Sequence, residues 1–507
     1  MGKSKPLKIL FVSSELSPYA TVGGLGRVMF FLPRALMALG HEVRVLIPRY
    51  GKIDLTRYPM ETIFEGLEVP TGNDSTPYLV CNVKTHRLAG SPRAYFLENM
   101  EYFEKRANEY GYADDPVRWG LLQRGILTWL KENSQSLKRN PASQAFFPDV
   151  IHCNDWQTGL IPNYLKTIYS GDPDLSSLSV VYTIHNLNFQ ANFDPRFAGE
   201  LDRDDGRSEI PDIFSERFAK LNSMRRAIIY SDLINTVSDK YSKEILTPQY
   251  GCGLDGLLQE VRTKLYGIIN GIDYDDFNSK EDKLVKYNYD IKSIEKRKLN
   301  KKELQSEFNL PVDEKIPLLG ISYRLDDQKG LGLVEQVMEY ILKEYKVQLV
   351  INGDGEPRFK SYFKKLFEKY PEQVGINLNA NFTLPRHIFS GADFILLPSK
   401  FEPCGMVQME AMRYGCVPIV RNVGGLADSV IDGVTGFTFK DYNPYAFFGT
   451  VVRALEYYKD DKKWSEMVKN CMKEDFSWTH SAQKYEELYY RVLDLAYQKK
   501  ISQTPNI

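Results

Sequence analysis

The chain has 507 residues, more than one hydrophobic core usually supports, so two domains are expected. Its 65 basic and 66 acidic residues give a formal net charge of −1, which argues against a nucleic-acid binder or a protein of anionic membranes. Six cysteines without a CxxC pair favour neither a disulfide framework nor a zinc cluster, and no apolar run has the length of a signal peptide or membrane span, so we expect a cytoplasmic protein.

The first half begins as a strand–helix–strand unit. KILFV (residues 8–12) is a continuous apolar run, typical of a buried parallel strand. The glycine-rich stretch SPYATVGGLGRV follows, and then apolar residues at helical spacing from Val28 to Leu39, in which Pro33 is expected to kink the helix or lie in its first turns. Gly40 is a natural helix stop. Further strands are predicted at EVRVLIP, DVIHCNDW and VVYTIHN.

A second strand–helix–strand pattern begins near residue 316. IPLLGISY is strand-like, GLGLVEQVMEYILKEY has one apolar helical face, and VQLVING, FILLP and VPIV read as further strands. The repeated pattern predicts an α/β protein of two Rossmann-like domains, facing one another across a cleft. We expect the first domain to span residues 1–275 and the second 276–480, with a linker near 275–290.

Polar residues follow several of these strands, where ligands of open α/β sheets gather. In the first half they are Gly23, Gly24 and Gly26 of the glycine loop, Asp155 with Trp156, and His185 with Asn186. In the second half they are Arg324, Lys329, the turn Gly353–Asp354–Gly355, and Glu402 with Cys404 and Gly405.

Arg324 and Lys329 are the clearest candidates for anion binding. A guanidinium and an ammonium five residues apart after a strand can clamp a diphosphate, whose charge grows as a glycosidic bond breaks. Taken alone, the pair is more simply explained as two solvated cations at a helix start.

The stretch SKFEPCGMVQMEAMRYG places a predicted helix start just after a buried strand. Backbone N–H groups of Cys404 and Gly405 would then face an anion. Of the carboxylates of Glu402 and Glu410, one can hold sugar hydroxyls and the other a ribose, although Glu410 is equally well interpreted as a surface residue.

Other signals are weaker. His185 alone is more often structural than catalytic, and Asp155 can be a helix cap. The GGxG loop lacks the dinucleotide fingerprint, and no GxxxxGK[ST] loop is present, which excludes a P-loop NTPase. Asp202 and Asp204 form a DxD triplet, but without a preceding buried strand we take it as chance.

Together these motifs resemble those of bacterial glycogen synthases and plant starch synthases, retaining glycosyltransferases of family 5 with the GT-B fold. The resemblance is collinear over roughly residues 7–490. The matching stretches are SELSPYATVGGLGRV, HEVRVLIPRYG, VIHCNDWQTGLIP, TIHNLNFQ, IINGIDYDDFN, SYRLDDQKGL, LLPSKFEPCGMVQMEAMRYG, RNVGGLADSVIDGVTGF and FSWTHSAQKYEELY.

The resemblance implies glucose transfer from a nucleotide sugar, usually ADP-glucose, to the non-reducing end of an α-1,4-glucan, with retention and without a metal or other cofactor. It implies that Gly23 and Gly24 approach the diphosphate. It gives Asp155, His185 and Asn270 places near the transferred glucose. It also implies that a helix in residues 481–507 packs back on the first domain, followed by a frayed tail.

The sequence departs from the family pattern mainly on the donor side. Thr21 stands where the family has a phosphate-binding lysine, and Arg27 where it has an aspartate. Ala380 replaces an aromatic that faces the base, and Val407 replaces a hydroxyl residue. Gln157 replaces a histidine outside the donor site. Losing one phosphate contact would cost about 1.5–3 kcal/mol.

Three hypotheses therefore stay open. The first is an active glucan synthase using ADP-glucose or UDP-glucose, and the second is a retaining transferase with another donor or acceptor. The third is a non-catalytic glucan-binding homologue, which Thr21 favours. The retained Arg324, Lys329 and Glu402 argue against that third hypothesis.

Overall fold

The computed structural model describes residues 5–191 and 203–503. The described chain forms two compact units. The first contains residues 5–237, 242–268 and 478–503, apart from 192–202, and the second contains 238–241 and 269–477. Residues 275–290, expected to link the domains, lie in the second unit, where Phe277, Val285 and Tyr289 are buried.

The first unit is built on a mainly parallel sheet of nine strands within the described residues. Its strands are β1 (Lys8–Val12), β2 (Glu42–Pro48), β3 (Glu61–Pro70), β4 (Tyr78–His86), β5 (Arg93–Glu98), β6 (Val150–Asn154), β7 (Ser179–Ile184), β8 (Leu233–Thr236) and β9 (Leu265–Gly267). Their order is β3-β4-β5-β2-β1-β6-β7-β8-β9, and β3 and β4 form an antiparallel extension. The carboxyl ends of β1, β6 and β7 therefore lie side by side.

The second unit contains a parallel sheet of six strands within the described residues. Its strands are β10 (Leu318–Ser322), β11 (Gln348–Asn352), β12 (Val374–Asn377), β13 (Phe394–Leu397), β14 (Val417–Arg421) and β15 (Phe437–Phe439). The order β12-β11-β10-β13-β14-β15 is that of a Rossmann sheet, and its switch point lies between β10 and β13. The predicted pair of Rossmann-like sheets is confirmed.

The helices cover the two sheets. They are α1 (Gly24–Ala38), α2 (Asp115–Arg139), α3 (Leu160–Lys166), α4 (Glu216–Ala219), α5 (Ser223–Tyr230), α6 (Asp239–Glu244), α7 (Asp255–Glu260), α8 (Arg297–Glu307), α9 (Leu331–Glu344), α10 (Pro357–Lys369), α11 (Leu384–Gly391), α12 (Val407–Arg413), α13 (Gly424–Ser429), α14 (Pro444–Tyr458), α15 (Asp461–Lys473) and α16 (Trp478–Gln503). No helix in the two described ranges combines the length and hydropathy needed to cross a membrane.

The strand–helix–strand prediction for the first half is confirmed at its main elements. β1 and β2 coincide with KILFV and EVRVLIP, and the residues of β1 from Ile9 onward are buried. Pro33 lies well inside α1, and Gly40 ends the helix with φ +105°, a conformation that glycine adopts at little cost.

The last helix, α16, packs within the first unit through buried polar contacts. The Tyr489 hydroxyl lies 2.7 Å from Nδ1 of His152 on β6, and the Tyr485 hydroxyl accepts a hydrogen bond from Asn235 on β8 (2.9 Å). Since all four side chains are buried, these hydrogen bonds hold α16 against the sheet of the first unit.

Candidate functional site

The glycine loop of the first unit is held by a buried carboxylate that follows β1. Glu15 is 4% exposed, and its Oε2 accepts hydrogen bonds from the backbone N–H groups of Val22 (2.8 Å) and Gly23 (3.1 Å). Its Oε1 accepts a hydrogen bond from the Tyr110 hydroxyl (2.7 Å). Charge-assisted bonds of this kind are the stronger class. The N–H of Gly23, expected to face a diphosphate, therefore faces Glu15 in this structure.

The outer surface of the same loop is open. Gly23 and Gly24 are exposed, and a Cβ added at Gly23 would meet no atom within 4 Å. The Thr21 hydroxyl lies 2.7 Å from Ser17 Oγ. The loop thus leaves room for a ligand beside its backbone, while the side chain at position 21 adds no charge.

Asp155 follows β6 in a strained conformation. Its φ of +54° is uncommon for a residue with a Cβ. Its Oδ1 accepts a hydrogen bond from the backbone N–H of His185 (2.8 Å). Burial raises the pKa of this carboxyl to about 7, against the lowering effect of the N–H groups of His185 and Asn186. This carboxyl therefore keeps its proton to a higher pH than an ordinary aspartate.

His185, at the end of β7, is held as a neutral imidazole. Its Nε2 lies 2.9 Å from Asn154 Oδ1. Because Asn154 Nδ2 donates to the carbonyls of Val12 (3.0 Å) and His152 (3.1 Å), the amide oxygen must be the atom that faces His185. Nε2 is then the donor. Burial lowers the pKa of His185 to about 3, so Nδ1 keeps its lone pair.

In the second unit, Lys329 and Glu402 form a close ion pair. Lys329 Nζ lies 2.6 Å from Glu402 Oε2, and their side chains are 16% and 7% exposed. Ser399 Oγ donates to the same oxygen (3.2 Å), and Asp326 Oδ1 accepts the backbone N–H of Lys329 (3.1 Å). The structure thus brings together an ammonium and a carboxylate singled out in the sequence, at the ends of adjacent strands β10 and β13.

Arg324 lies at the same edge but points outward. Its side chain is 66% exposed, and its guanidinium pairs with the Asp326 carboxylate. Asp326 therefore connects the two predicted cations, since it also caps the turn that carries Lys329. An exposed guanidinium on such a turn can reorient toward an anionic ligand.

Gly353, directly after β11, lies against the neighbouring chain segment. A Cβ at this position would come within 2.2 Å of the Tyr323 carbonyl oxygen, which real contacts do not allow. Its N–H donates to the Asn377 carbonyl at the end of β12 (3.0 Å). The glycine thus lets three strand ends converge beside Arg324.

Cys404 and Gly405 form a tight turn that leads into α12. The Cys404 sulfur accepts hydrogen bonds from the backbone and side chain of Asn270, and burial raises the pKa of the thiol to about 12. Gly405 has φ +68°, and its carbonyl accepts a hydrogen bond from Gln408 Nε2 (2.6 Å). Cys404 is therefore a protonated structural thiol, and Asn270 lies next to it.

Two glycines at the start of α13 allow that helix to pack directly against the backbone of this turn. A Cβ at Gly424 would lie 1.8 Å from the Glu402 carbonyl oxygen, and one at Gly425 would lie 1.9 Å from that of Cys404. Only glycine allows the helix so close. The backbone of the Glu402 loop is thereby fixed.

The remaining residues considered on the donor side, Glu410, Val407 and Ala380, all lie in the second unit. Glu410 is a buried residue of α12, and Val407 is the first residue of that helix. Ala380 is exposed in the loop after β12. Neither Val407 nor Ala380 supplies a hydrogen-bonding side chain or a ring at its position.

The DxD triplet is only partly within the described residues. Asp202 lies outside them. The carboxylate of Asp204 makes two hydrogen bonds of 2.7 Å to the buried guanidinium of Arg226. Asp204 therefore has a structural partner.

Sequence reasoning missed three positioning residues. Glu15 stands inside the quoted SELSPYATVGGLGRV stretch, but a carboxylate before a glycine loop gives no signal that it will bind the loop. Asn154 precedes Asp155 at the end of a predicted strand, and this position does not indicate that its side chain will orient His185. Gln408 was read as part of a helix, although it holds the Cys404–Gly405 turn.

Comparison with known proteins gives two family matches and many full-length relatives. Residues 8–260 match the family described as starch synthase catalytic domain, and residues 302–470 match glycosyl transferases group 1. The chain is 39% identical over 501 residues to a glycogen synthase of Moorella thermoacetica, covering 97% of this chain and 98% of the relative. It is 40% identical over 491 residues to a glycogen synthase of Anoxybacillus flavithermus, with 95% and 97% covered.

Two solved structures also match this chain over nearly its full length. The catalytic domain of starch synthase IV from Arabidopsis thaliana, bound to ADP and acarbose, matches with a TM-score of 0.80 and 30% identity, covering 97% of this chain and all of that one. Sucrose-phosphate synthase from Thermosynechococcus elongatus, with a TM-score of 0.58 and 17% identity over 96% of this chain and 99% of that one, shares the fold.

Proposed function

This chain belongs to the family of glycogen and starch synthases, which are glycosyltransferases, and we propose that it transfers glucose from ADP-glucose to the non-reducing end of an α-1,4-glucan. We propose further that the configuration at the anomeric carbon is retained and that UDP-glucose serves as a second donor. The ADP and acarbose bound to starch synthase IV support a nucleotide and a glucan-like ligand for this fold.

The observation that carries the proposal is the Lys329–Glu402 pair at the switch point of the second sheet. When the bond between glucose and the diphosphate breaks, negative charge grows on the departing diphosphate, and a fixed ammonium stabilises that charge. Arg324, whose side chain is 66% exposed, supplies a second cation. Lys329 and Ser399 both bind Oε2 of Glu402, so we assign Oε1 to a sugar hydroxyl.

Groups of the first unit suit the sugar itself. Neutral His185 offers an acceptor at Nδ1, and Asp155 offers a carboxyl that is partly protonated near pH 7. Both can bond glucose hydroxyls, His185 as an uncharged acceptor and Asp155 in either of its protonation states. No side chain is assigned as a nucleophile. The acceptor hydroxyl forms the new bond from the side of the leaving group, and its proton passes to the departing diphosphate.

A second candidate, a retaining transferase with a different donor or acceptor, is favoured by the glycine loop, which adds no positive charge on the donor side. Thr21 brings no charge to that loop, and Glu15 already occupies two loop N–H groups. These contacts would weaken binding of a diphosphate there. The chemistry of the Lys329–Glu402 pair is common to both candidates.

A donor panel separates the candidates. The purified chain is incubated with ADP-, UDP- or GDP-glucose and a maltooligosaccharide, and released nucleotide and extended product are both measured. Extension with ADP-glucose or UDP-glucose supports the proposed function. Extension with GDP-glucose alone supports the second candidate, and extension with none of them refutes the proposed function.

A further inference from the structure

One buried histidine of the first sheet has no part in the proposed reaction. His152 lies on β6 and is 0% exposed. Its Nδ1 lies 2.7 Å from the Tyr489 hydroxyl of α16, and its Nε2 lies 2.6 Å from Thr183 Oγ1 on β7. Burial lowers the pKa of His152 well below its usual range, so the ring is neutral. Burying a polar ring costs free energy that an apolar ring of similar shape avoids. Packing alone therefore gives no reason for a histidine at this position.

The polar contacts of His152 continue to the two sugar-side groups. Thr183, whose hydroxyl faces His152, accepts the backbone N–H of Asp155 at its carbonyl (3.0 Å). The carbonyl of His152 accepts a hydrogen bond from Asn154 Nδ2 (3.1 Å), and the amide oxygen of Asn154 faces His185. His152 thus bears on Asp155 through Thr183. It bears on His185 through Asn154.

The turn at Asp155 needs support of this kind. Its φ of +54° and ψ of −178° lie in a sparsely populated region for a residue with a Cβ, and such a conformation persists only where its surroundings fix it. The Thr183 carbonyl fixes its N–H, and the N–H of His185 fixes its Oδ1 (2.8 Å). Without these bonds the turn can relax to an ordinary conformation, which would carry the carboxyl away from His185.

We propose that His152 and Tyr489 are positioning residues, whose buried bond holds the ends of β6 and β7 in place for the transferred glucose. The groups they place are Asp155 and His185. The glucose itself rests on the proposed function. Because Tyr489 lies on α16, the last helix of the chain belongs to the sugar-side geometry and is more than a cover for the sheet.

The kinetic test compares Tyr489→Phe with Tyr490→Phe. Each variant removes one tyrosine hydroxyl from the same helix, but that of Tyr490 donates to the Lys5 carbonyl (2.8 Å) in an exposed contact. In Tyr489→Phe we expect kcat to fall about tenfold, because the sugar is bound but misplaced. The KM values for ADP-glucose and maltoheptaose should stay within about twofold of wild type. Tyr490→Phe should keep the wild-type kcat.

Nitrogen-15 NMR of histidine-labelled protein tests the same placement without donor or turnover. The chain has six histidines, so His185→Gln suffices to assign the His185 signals. Wild-type His185 should show the single tautomer protonated at Nε2, since that nitrogen faces the Asn154 amide oxygen. Tyr489→Phe should show both tautomers in exchange, and Tyr490→Phe only the wild-type one.

The double variant His152→Phe/Tyr489→Phe separates positioning from stability. A phenylalanine at position 152 fits among the rings of Phe11 and Tyr485, whose centroids lie 4.5 Å and 5.7 Å from that of His152. Because it leaves no buried ring nitrogen without a partner, the double variant should recover the thermal stability lost in Tyr489→Phe, but neither its kcat nor the single tautomer of His185. It also keeps the test valid if Tyr489→Phe does not fold.

Two results overturn the proposal. One is a folded Tyr489→Phe with the kcat and the His185 signals of wild type, which would show that the bond only anchors α16. The other is recovery of kcat together with stability in the double variant. If no donor supports transfer by the wild-type chain, while the His185 signals respond as expected, the positioning by His152 and Tyr489 stands and the proposed function fails.

Discussion

Replacing Lys329 by methionine tests how the second unit handles a diphosphate. The variant keeps the length of the side chain but leaves the Glu402 carboxylate, 7% exposed, without its cation. Breaking a buried ion pair by removing one partner costs about 3–5 kcal/mol, and the partial exposure of Lys329 places this case near 3 kcal/mol. For a unit of this size that corresponds to a fall in Tm of about 6–12 °C. The loss of a fixed cation should also lower kcat/KM about 10²–10³-fold.

The reasoning is checked by a double-mutant cycle with Glu402→Gln, followed by calorimetry. Because the double variant buries no unpaired charge, it should be more stable than Lys329→Met alone, although no more active. Lys360→Met, which breaks the exposed pair with Asp354, is the control and should leave Tm unchanged. Strictly additive effects of Lys329→Met and Glu402→Gln on Tm would refute the coupling.

Three further predictions concern the first unit. Glu15→Gln weakens the bonds to the glycine loop and should lower the free energy of unfolding by about 1–2 kcal/mol, measured by urea denaturation; no change would show that the loop does not depend on the charge. Since the pKa of Asp155 is raised by folding, its stabilising contribution is full below about pH 4 and is lost as the pH rises through about 7, so Asp155→Asn should gain Tm relative to wild type at pH 8 but not at pH 4; the opposite trend would contradict the pKa shift. Thr21→Lys should lower KM for ADP-glucose about tenfold if the loop faces the donor phosphates, and an unchanged KM would place the donor elsewhere.

The strands were the most predictable part of the fold. A parallel strand buried on both faces needs a continuous apolar run, and KILFV and FILLP have one, so periodicity alone located β1 and β13. The repeated strand–helix–strand pattern predicted a Rossmann-like second domain, and the strand order of its sheet agrees with that prediction. Pro33 was less predictable, because tertiary packing keeps α1 helical across a residue that favours a break.

The sequence indicates the residue types of the candidate site but not the contacts among them. Lys329 and Glu402 are 73 positions apart, and only the adjacency of β10 and β13 brings them together. The role of Glu15 could not be predicted, because nothing in the local sequence shows that its carboxylate will accept a hydrogen bond from the backbone N–H of a loop seven residues later. Contacts of this kind depend on tertiary packing.

The protonation states of Asp155 and His185 could not be predicted from the sequence either, because they too depend on tertiary packing. Asp155 and His185 have ordinary neighbours in sequence, yet burial moves the pKa of the first up to about 7 and that of the second down to about 3. Desolvation is a property of the folded environment. A pattern of residues indicates candidate ligand-binding groups, but not which of them carry a charge.

The central claim is tested most directly by following transfer from ADP-glucose to maltoheptaose with the purified wild-type chain. Proton NMR of the product reports both the position and the configuration of the new bond. The account predicts extension by α-1,4-linked glucose with release of ADP. A β-linked product, or no extension with either ADP-glucose or UDP-glucose, would contradict it.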